Sequence, residues 1–248
     1  MLNLISVLHD PEGNLYDLTK ENLGRVRHIF GTFTVVVSKA THKEVINLLK
    51  EFNLNIKFDE GKTYLAYRDA LQYGALSSAD YIFLIDFDRL MAWAKRNLNE
   101  LMSVKDLQFY DYNLLERTEE AFRTHPPTQY KTEKLANFYI SKLFKFKEDK
   151  DFLSGAWVFS KSLAWKIIES TKSTNKGFYG EWAVLGLKNA KNLGSYKFKG
   201  LEWELPYQFE KEINRNGLGS WIEKIELQEK NKRIQNLYLI LNEAKKSA

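Results

Sequence analysis

Two aspartates, Asp86 and Asp88, follow the apolar run at residues 81–85. Such a run predicts a strand buried on both faces, as in the centre of a parallel sheet, and ligands bind at the carboxyl ends of such strands. Alternation along an extended chain sends both carboxylates to the same side, where two hard oxygen donors suit a divalent cation. The alternative is that one aspartate caps a helix and the other is solvated.

The segments before this strand alternate between strand-like and helix-like patterns. Apolar residues at helical spacing predict a helix over 18–30, and Thr41 with Glu44 forms a capping box that predicts the start of a second. Further helices are predicted over 62–78 and after Asp88. Strands are predicted at 2–10, 32–38 and 53–61. This alternation predicts an α/β fold with a mixed, mainly parallel central sheet flanked by helices.

The second half of the chain has a less regular pattern. We predict a fifth strand at 107–113 and an irregular excursion over 114–131, a kind of segment that often carries function. The remaining predicted elements are a helix near 133–146, a strand at 157–159 that continues through Ser160 as N-cap into a helix, a helix at 180–192, and a long C-terminal amphipathic helix at 221–246.

The composition is that of a globular protein. With 248 residues, 44% of them apolar, the chain suffices for one large α/β domain or two small ones. No apolar run approaches the roughly 20 residues of a membrane-spanning helix, and we interpret the N-terminus as mature sequence that begins on a strand. The lack of cysteine excludes disulfides, thiolate zinc sites and cysteine nucleophiles, and it favours a cytoplasmic protein.

The net charge of +5 is unevenly distributed. Residues 161–200 hold eight lysines against Glu169 and Glu181, a local charge of +6. Such a stretch can attract an anionic acceptor molecule or give a peripheral membrane contact at the cytoplasmic face, although most lysine-rich stretches are solvated helix faces. No nucleic-acid-binding motif accompanies the lysines, so we expect no nucleic-acid partner.

The motifs of several other α/β enzymes are absent. The first strand is followed by HDPEGNLYD, which is neither the glycine-rich turn of a dinucleotide fold nor a P-loop. The sequence also has no GxSxG elbow and no HExxH motif. The remaining reading is phosphate chemistry mediated by Mg²⁺ or Mn²⁺, which bind through one or two carboxylates together with substrate phosphates.

The stretch GKTYLAYRDALQYGALSSADYIFLIDFD, residues 61–88, resembles the signature of GT-A fold glycosyltransferases such as those of glycosyltransferase family 2. The pair Arg68-Asp69 and a turn of small residues precede the strand that ends in DFD, at intervals similar to those of the family. Farther along, FLSGAWVFSKSLAWKII and GFYGEWAVLGLKNAKNLG resemble its acceptor-side strand and helices. The resemblance spans residues 4–194.

The resemblance implies a nucleotide-sugar donor whose diphosphate is held by Mn²⁺ or Mg²⁺ on Asp86 and Asp88. It implies one GT-A-like domain over 1–248, with the donor bound in residues 1–105 and the acceptor in 106–248. By family position, the nucleotide is bordered by His9, Asp10, Ser38, Asp59 and Arg68. The alternative for His9 is a hydrogen bond to its own loop, and that for Arg68 is an ion pair with Asp69 or Asp80.

An inverting transferase also needs a carboxylate base that takes the proton of the acceptor hydroxyl. The resemblance points to Glu181, although its neighbour is Trp182 where the family has an acidic pair. The alternative for Glu181 is a first-turn carboxylate favoured by the helix dipole. No histidine follows His125 to serve as a late metal ligand, so Glu202, Glu204 or water takes that place.

The SGAW turn is expected to contact the sugar or the acceptor. The aromatic face of Trp157 suits a sugar ring, and Gly155 admits a ligand closely. The alternative for Trp157 is core packing. Two other functions stay open: a degenerate GT-A-like domain that binds without turnover, and nucleotidyl transfer onto a sugar phosphate, which usually uses a glycine-rich basic loop after the first strand.

Overall fold

The computed structural model describes residues 1–59 and 63–248, and for Thr63 only the backbone. Within them, one sheet contains β1 (Leu2–Leu8), β2 (Phe33–Ser38), β3 (Asn55–Asp59), β4 (Tyr81–Asp86), β5 (Tyr112–Arg117), β6 (Ala156–Ser160) and β7 (Leu193–Phe198). The helices are α1 (Tyr16–Ile29), α2 (Lys43–Glu51), α3 (Thr63–Leu76), α4 (Phe87–Arg96), α5 (Leu98–Ser103), α6 (Glu119–Arg123), α7 (Pro127–Leu143), α8 (Lys161–Ser170), α9 (Phe178–Asn189), α10 (Leu205–Gln208), α11 (Glu210–Asn216) and α12 (Leu218–Ser247).

The strands lie in the order β3-β2-β1-β4-β6-β5-β7. Helical crossovers join β1, β2, β3 and β4 in parallel, while β6 runs antiparallel to both of its neighbours, and β5 and β7 pair in parallel. This confirms the predicted mixed, mainly parallel sheet. It also puts the carboxyl ends of β1 to β4 along one edge of the sheet, where the candidate site residues were expected.

Alternate residues along the strands supply two separate cores, one on each face of the sheet. In β4, Phe83 and Ile85 belong to the core under α1 and α4, and Ile82 and Leu84 belong to the core under α3 and α8. Each of these side chains is fully buried, which explains why this strand reads as a continuous apolar run. The predicted C-terminal helix is present as α12, and it packs against α7 and α9.

The position of β5 was predicted wrongly. The aromatic segment at 107–113 was expected to form it, but the strand is Tyr112–Arg117 and ends in two buried charged residues, Glu116 and Arg117. Buried charges are rare unless they are paired, and the partners of these two residues lie elsewhere in the chain. The expected irregular excursion over 114–131 is therefore mostly regular, since it contains the end of β5, α6 and the start of α7.

The capping box at Thr41 was also wrong. The N-cap of α2 is His42, whose ring accepts a hydrogen bond from the Glu44 N–H (3.4 Å). Thr41 Oγ1 instead accepts from the Asp10 N–H at 3.3 Å, so it ties the end of β1 to the loop after β2. The predicted start of α3 at Lys62 lies outside the described residues, as does the end of the strand predicted over 53–61.

None of the helices in residues 1–59 and 63–248 has the length and apolar composition of a transmembrane segment.

Candidate functional site

The strand β4 ends at Asp86, and α4 begins at the next residue. Asp88 therefore lies in the first turn of a helix, so the strand alternation that we used to bring the two carboxylates together is wrong. Phe87 is buried in the core and anchors this sharp junction. Asp88 Oδ1 accepts from the Arg89 N–H (2.8 Å) and its Oδ2 accepts from Gln208 Nε2 (3.2 Å). Asp86 occupies the N-cap position but accepts no capping hydrogen bond.

Asp86 is held by two tyrosines and a glycine. The Tyr67 hydroxyl donates to Asp86 Oδ1, and the Tyr179 hydroxyl donates to that of Tyr67 at 3.2 Å. Gly155 has a φ of +72°, and a Cβ there would lie 2.8 Å from Asp86 Oδ2. Glycine is thus required both by the backbone conformation and by the close approach of the carboxylate. The sequence predicted that a ligand approaches Gly155 closely, and in the structure the carboxylate of Asp86 makes this close approach.

Arg89 and Glu204 form a buried ion pair next to the aspartates. Arg89 Nη2 donates to Glu204 Oε2 at 2.7 Å, and Nη1 donates to the Ser154 carbonyl oxygen. Of the two glutamates considered as a late metal ligand, the structure brings Glu204 to this site. Glu202 instead pairs with Arg96 at 3.1 Å.

The negative charge at this site exceeds the charge of Arg89. Burial and, after it, the neighbouring Asp88 raise the pKa of Asp86 to about 8. Burial, followed by Glu204, raises the pKa of Asp88 to about 6. Both carboxyl groups therefore take up protons more readily than exposed ones, because burial and the neighbouring carboxylates outweigh the effect of the nearby cations. A divalent cation would supply the missing positive charge, so the donor set fits the expected Mn²⁺ or Mg²⁺.

The protein can provide only part of such a coordination shell. Within the described part of the chain, no group of three or more histidine, cysteine, aspartate or glutamate side chains has a metal-binding arrangement. Mg²⁺ sites for nucleotides commonly use one or two carboxylates and take their other ligands from water and phosphate. Asp86 and Asp88 are consistent with that kind of site.

A cavity of about 190 Å³ opens beside Asp86. Its walls combine the two tyrosines and the Arg89–Glu204 pair with side chains from α7, the turn before α9, and α12. The four contacts from the last helix, α12, show that this helix covers the cavity. The lining residues are Tyr67, Asp86, Arg89, Gln129, Thr132, Glu133, Leu153, Gly155, Lys176, Tyr179, Glu204, Arg233, Asn236, Leu237 and Ile240.

The residues predicted to border the nucleotide lie along the same sheet edge but outside this cavity. His9 and Arg68 have exposed side chains, whereas Asp10, Ser38 and Asp59 are buried. Asp10 accepts from the Asn14 and Leu15 N–H groups at 3.0 and 2.9 Å, so its carboxylate shapes the loop after β1.

Ser38 and Asp59, the other two buried residues of this group, also interact with protein groups. Ser38 Oγ accepts from the Ala40 N–H at 3.3 Å. Asp59, at the end of β3, is close enough to Asp69 that, after burial, its charge contributes to the raised pKa of Asp69. Arg68 acts on Asp69 in the opposite direction, which agrees with the alternative role given to it as a charge partner. Among the predicted donor residues, His9 and Arg68 are thus the exposed side chains.

The structure does not bring Glu181 to the cavity at Asp86. Its carboxylate is buried and accepts from the N–H groups of Lys172 (2.7 Å) and Ser173 (3.1 Å), in a different cavity. Burial raises the pKa of Glu181. These hydrogen bonds fix the turn before α9, a structural role that differs from the helix-dipole alternative predicted from the sequence.

Trp157 occupies the core position given as its alternative. Its side chain is buried, its indole N–H donates to the Phe152 carbonyl oxygen at 3.3 Å, and its ring stacks on Phe159. It reaches the cavity only indirectly, through a contact with the Tyr179 ring at 5.8 Å. Trp157 therefore supports a residue of the cavity wall.

Sequence reasoning missed most of the cavity wall. Arg89, Lys176 and Arg233 come from three distant parts of the chain, and none belongs to a motif. Of the eight lysines in residues 161–200, only Lys176 lines the cavity. The one available signal was Arg89, which directly follows the DFD triplet at a position where a buried arginine could be suspected beside two carboxylates.

Comparison with solved structures identifies the fold. The structures of glucosyl-3-phosphoglycerate synthase from Mycobacterium tuberculosis with Mn²⁺, UDP and phosphoglyceric acid, and with Mn²⁺, UDP and glucosyl-3-phosphoglycerate, both match with a TM-score of 0.51, at 12% and 11% identity. A third, with Mn²⁺, UDP-glucose and phosphoglyceric acid, matches with a TM-score of 0.50 at 12% identity.

These matches cover 79% of this chain and 68% to 69% of the synthase chains. No model of a protein family matches the sequence, and no curated protein matches it. The chain therefore has the GT-A fold that the sequence resemblance predicted.

Proposed function

We propose that this protein is a metal-dependent glycosyltransferase that moves a sugar from a nucleotide-diphosphate sugar to an acceptor. The observation that carries the proposal is the pair Asp86 and Asp88, whose negative charge is incompletely balanced, at the carboxyl end of a central strand of a GT-A fold. The synthases with this fold were solved with Mn²⁺ and UDP or UDP-glucose, which supports a uridine nucleotide donor.

In the proposed reaction, Asp86 and Asp88 would hold Mn²⁺ or Mg²⁺, which would supply positive charge to stabilise the leaving diphosphate. The acceptor oxygen forms a bond to the anomeric carbon as the bond to the diphosphate breaks. The electron pair leaves with the nucleoside diphosphate, and the hydroxyl proton passes to water or to that diphosphate. Residues 1–105 provide the donor side, along the ends of β1 to β3, and residues 106–248 the acceptor side.

One observation favours the second candidate, a GT-A-like domain that binds without turnover. In the cavity as described, both acceptor-side carboxylates are tied to arginines: Glu133 Oε2 accepts from Arg117 Nη1 at 2.6 Å, and Glu204 accepts from Arg89. Neither is a free base. Nucleotidyl transfer is not favoured, because the loop after β1 lacks the glycine-rich basic sequence.

Thermal shift with UDP, GDP and their sugar conjugates, with and without Mn²⁺, tests donor binding. We expect UDP and UDP-glucose to raise the melting temperature only with Mn²⁺, and Asp86→Asn to abolish the shift. The matched control is Asp106→Asn, an exposed aspartate in the turn after α5, which should keep it. No shift with any nucleotide would refute the proposal.

Release of UDP from UDP-glucose, with a panel of hydroxylated acceptors, then separates the two candidates. Metal-dependent binding without release across the panel would favour the binding domain. A cytoplasmic location and a peripheral membrane contact stay predictions from the sequence.

A further inference from the structure

The cavity beside Asp86 contains a lysine whose ammonium group forms no direct contact with a carboxylate. Lys176 lies in the turn before α9 and lines the cavity. Among residues 1–59 and 63–248, no hydrogen bond or ion pair engages its ammonium group. Asp86 and Glu229 act on Lys176 only through the longer-range attraction of their charges. A partly buried lysine that is left unpaired is costly to the fold, so its position suits an anionic ligand.

Arg233, on the last helix, reaches the same cavity. One of its terminal nitrogens, Nη2, donates to Glu229 at 2.6 Å, but its Nε is buried without a hydrogen-bond partner in the described part of the chain. Gln129, across from it on α7, donates through Nε2 to Glu133 at 2.9 Å and leaves its buried Oε1 unpaired. The wall thus offers cationic donors for an anion and one acceptor for a hydroxyl group.

The size of the cavity limits what binds there. Pockets for drug-sized ligands have about 300–1,000 Å³. The cavity at Asp86 has about 190 Å³, and α12 forms part of its wall. This volume is below that range, so the cavity does not enclose a whole nucleotide sugar or a glycan chain. A small molecule with one anionic group and a hydroxyl fits.

The donor diphosphate is a less suitable occupant of these cations. Lys176 and Arg233 both belong to residues 106–248, on the acceptor side. Arg89, the arginine that follows the metal-binding aspartates in sequence, already donates to Glu204 and Ser154. The donors without a hydrogen-bond partner in the described residues therefore come from the half of the chain to which acceptor binding is assigned in the proposed function.

We propose that Lys176 and Arg233 form a subsite that binds the phosphate or carboxylate of a small hydroxylated acceptor. This inference rests on the proposed glycosyltransferase function, and it narrows the acceptor to a small anionic molecule. Gln129 accepts a hydrogen bond from a hydroxyl of that molecule.

The test measures binding of glycerol 3-phosphate, glycerate and uncharged glycerol by calorimetry, with Mn²⁺ and UDP present to fill the donor site. We expect the two anions to bind and glycerol not to bind. Lys176→Met and Arg233→Gln should each weaken anion binding at least tenfold, because a hydrogen bond to a charged group is lost. The matched controls, Lys172→Met in the same turn and Lys230→Gln on α12, are exposed and should bind as the wild type does.

A second measurement distinguishes the anion subsite from the glycosyltransferase proposal. It is the rise in melting temperature that UDP causes in the presence of Mn²⁺, determined for the same variants. If UDP binds but neither substitution weakens anion binding, or glycerol binds as well as the anions, the subsite is wrong while the glycosyltransferase proposal stands. Anion binding that disappears when UDP is added also refutes the subsite, since the cations then serve the diphosphate. Anion binding that depends on Lys176, in a protein that does not bind UDP, supports the anion site and contradicts the proposed function.

Discussion

Two aspartates near buried arginines, Asp151 and Asp86, differ in how their charge is balanced. Asp151 accepts from Arg117 Nε and Nη2 at 2.7 and 2.8 Å and from Asn137 at 2.8 Å. Burial acts to raise the pKa of Asp151, but the charge and hydrogen bonds of Arg117 outweigh it and lower that pKa. For Asp86 the outcome is the opposite: burial and then the charge of Asp88 raise the pKa, and Arg89, which donates to Glu204 and Ser154, offsets them only in part.

The difference distinguishes a charge that the protein balances from one that it leaves partly unbalanced. Asp151 accepts hydrogen bonds from two partners on different elements, so it fixes the positions of β5, α7 and the segment before β6. In the described part of the chain, Asp86 accepts one side-chain hydrogen bond, from the Tyr67 hydroxyl. Carboxyl groups with raised pKa values in cavities are candidates for ligand sites. Glu133 connects the two regions, since it binds Arg117 and lines the cavity at Asp86.

The largest expected effect is on stability, in the Asp151 region. Arg117→Met leaves Asp151 buried without its cation and should lower the free energy of unfolding by about 3–5 kcal/mol, measured by urea denaturation. Arg123→Met is the control, because Arg123 forms an exposed ion pair with Glu119 and its loss should cost less than about 1 kcal/mol. Equal losses of unfolding free energy in the two variants would show that the buried pair of Arg117 and Asp151 contributes no more to stability than an exposed ion pair.

The second effect is on activity, in the Asp86 region. Asp86→Asn removes a proposed cation ligand, so the rate of UDP release from UDP-glucose should fall by at least about 100-fold, or about 2.7 kcal/mol. Its free energy of unfolding should stay equal or rise, because an uncompensated buried carboxylate is gone. Asp151→Asn should be destabilised. An Asp86→Asn variant that is unstable yet active would show that Asp86 serves the fold and not the reaction.

A smaller effect is expected at Gly155. Gly155→Ala forces an alanine into a φ of +72°, at about 1–2 kcal/mol, and places its Cβ against Asp86. We expect a lower melting temperature together with a weaker Mn²⁺-dependent shift by UDP. Gly31→Ala serves as the control because a Cβ there meets no atom within 4 Å. Unchanged UDP binding in Gly155→Ala would show that Gly155 does not contribute to the UDP site.

The smallest effect concerns pH and His125, which contacts Arg117 at 3.3 Å. Burial, and then Arg117, lowers the pKa of His125 well below 6.5, so the folded protein keeps it neutral where the unfolded chain binds a proton. The contribution of His125 to stability should therefore fall as the pH drops below about 6.5, by up to about 1.4 kcal/mol per unit. The raised pKa values of Asp86 and Asp88 act in the opposite direction over this range, so the test is the difference between variant and wild type. His125→Gln should flatten this dependence between pH 6.5 and 5, and the exposed His28→Gln should not. Asp151 adds a further loss at lower pH, near and below 3.8.

The sequence predicted the β4 edge well because its signals are local. A continuous apolar run identifies a central strand, and the following carboxylates mark its functional end. Strand alternation was still the wrong reason for expecting Asp86 and Asp88 on the same side, because nothing in the triplet shows that α4 starts at Phe87. Helix initiation here depends on burying Phe87 in the core, which is a tertiary contact.

The other wrong or missing predictions concern residues whose partners lie far away in the sequence. Arg117 reads as a surface residue until Asp151, 34 positions away, is placed beside it. Glu181 has the same residue type and helix position whether it acts as a base or accepts backbone hydrogen bonds, so only the turn at Lys172 and Ser173 distinguishes the two. Lys176 and Arg233 meet only after α12 has packed on α7 and α9.

The antiparallel strand β6 has a consequence for dividing this protein. β4 pairs with β1 on one side and with β6 on the other, so a fragment that ends at residue 105 would expose one side of a strand whose two faces are apolar. Such an open edge is a template for pairing with other chains. A fragment of residues 1–105 is therefore expected to aggregate when expressed alone, and a split or chimeric version must keep β6 together with β4.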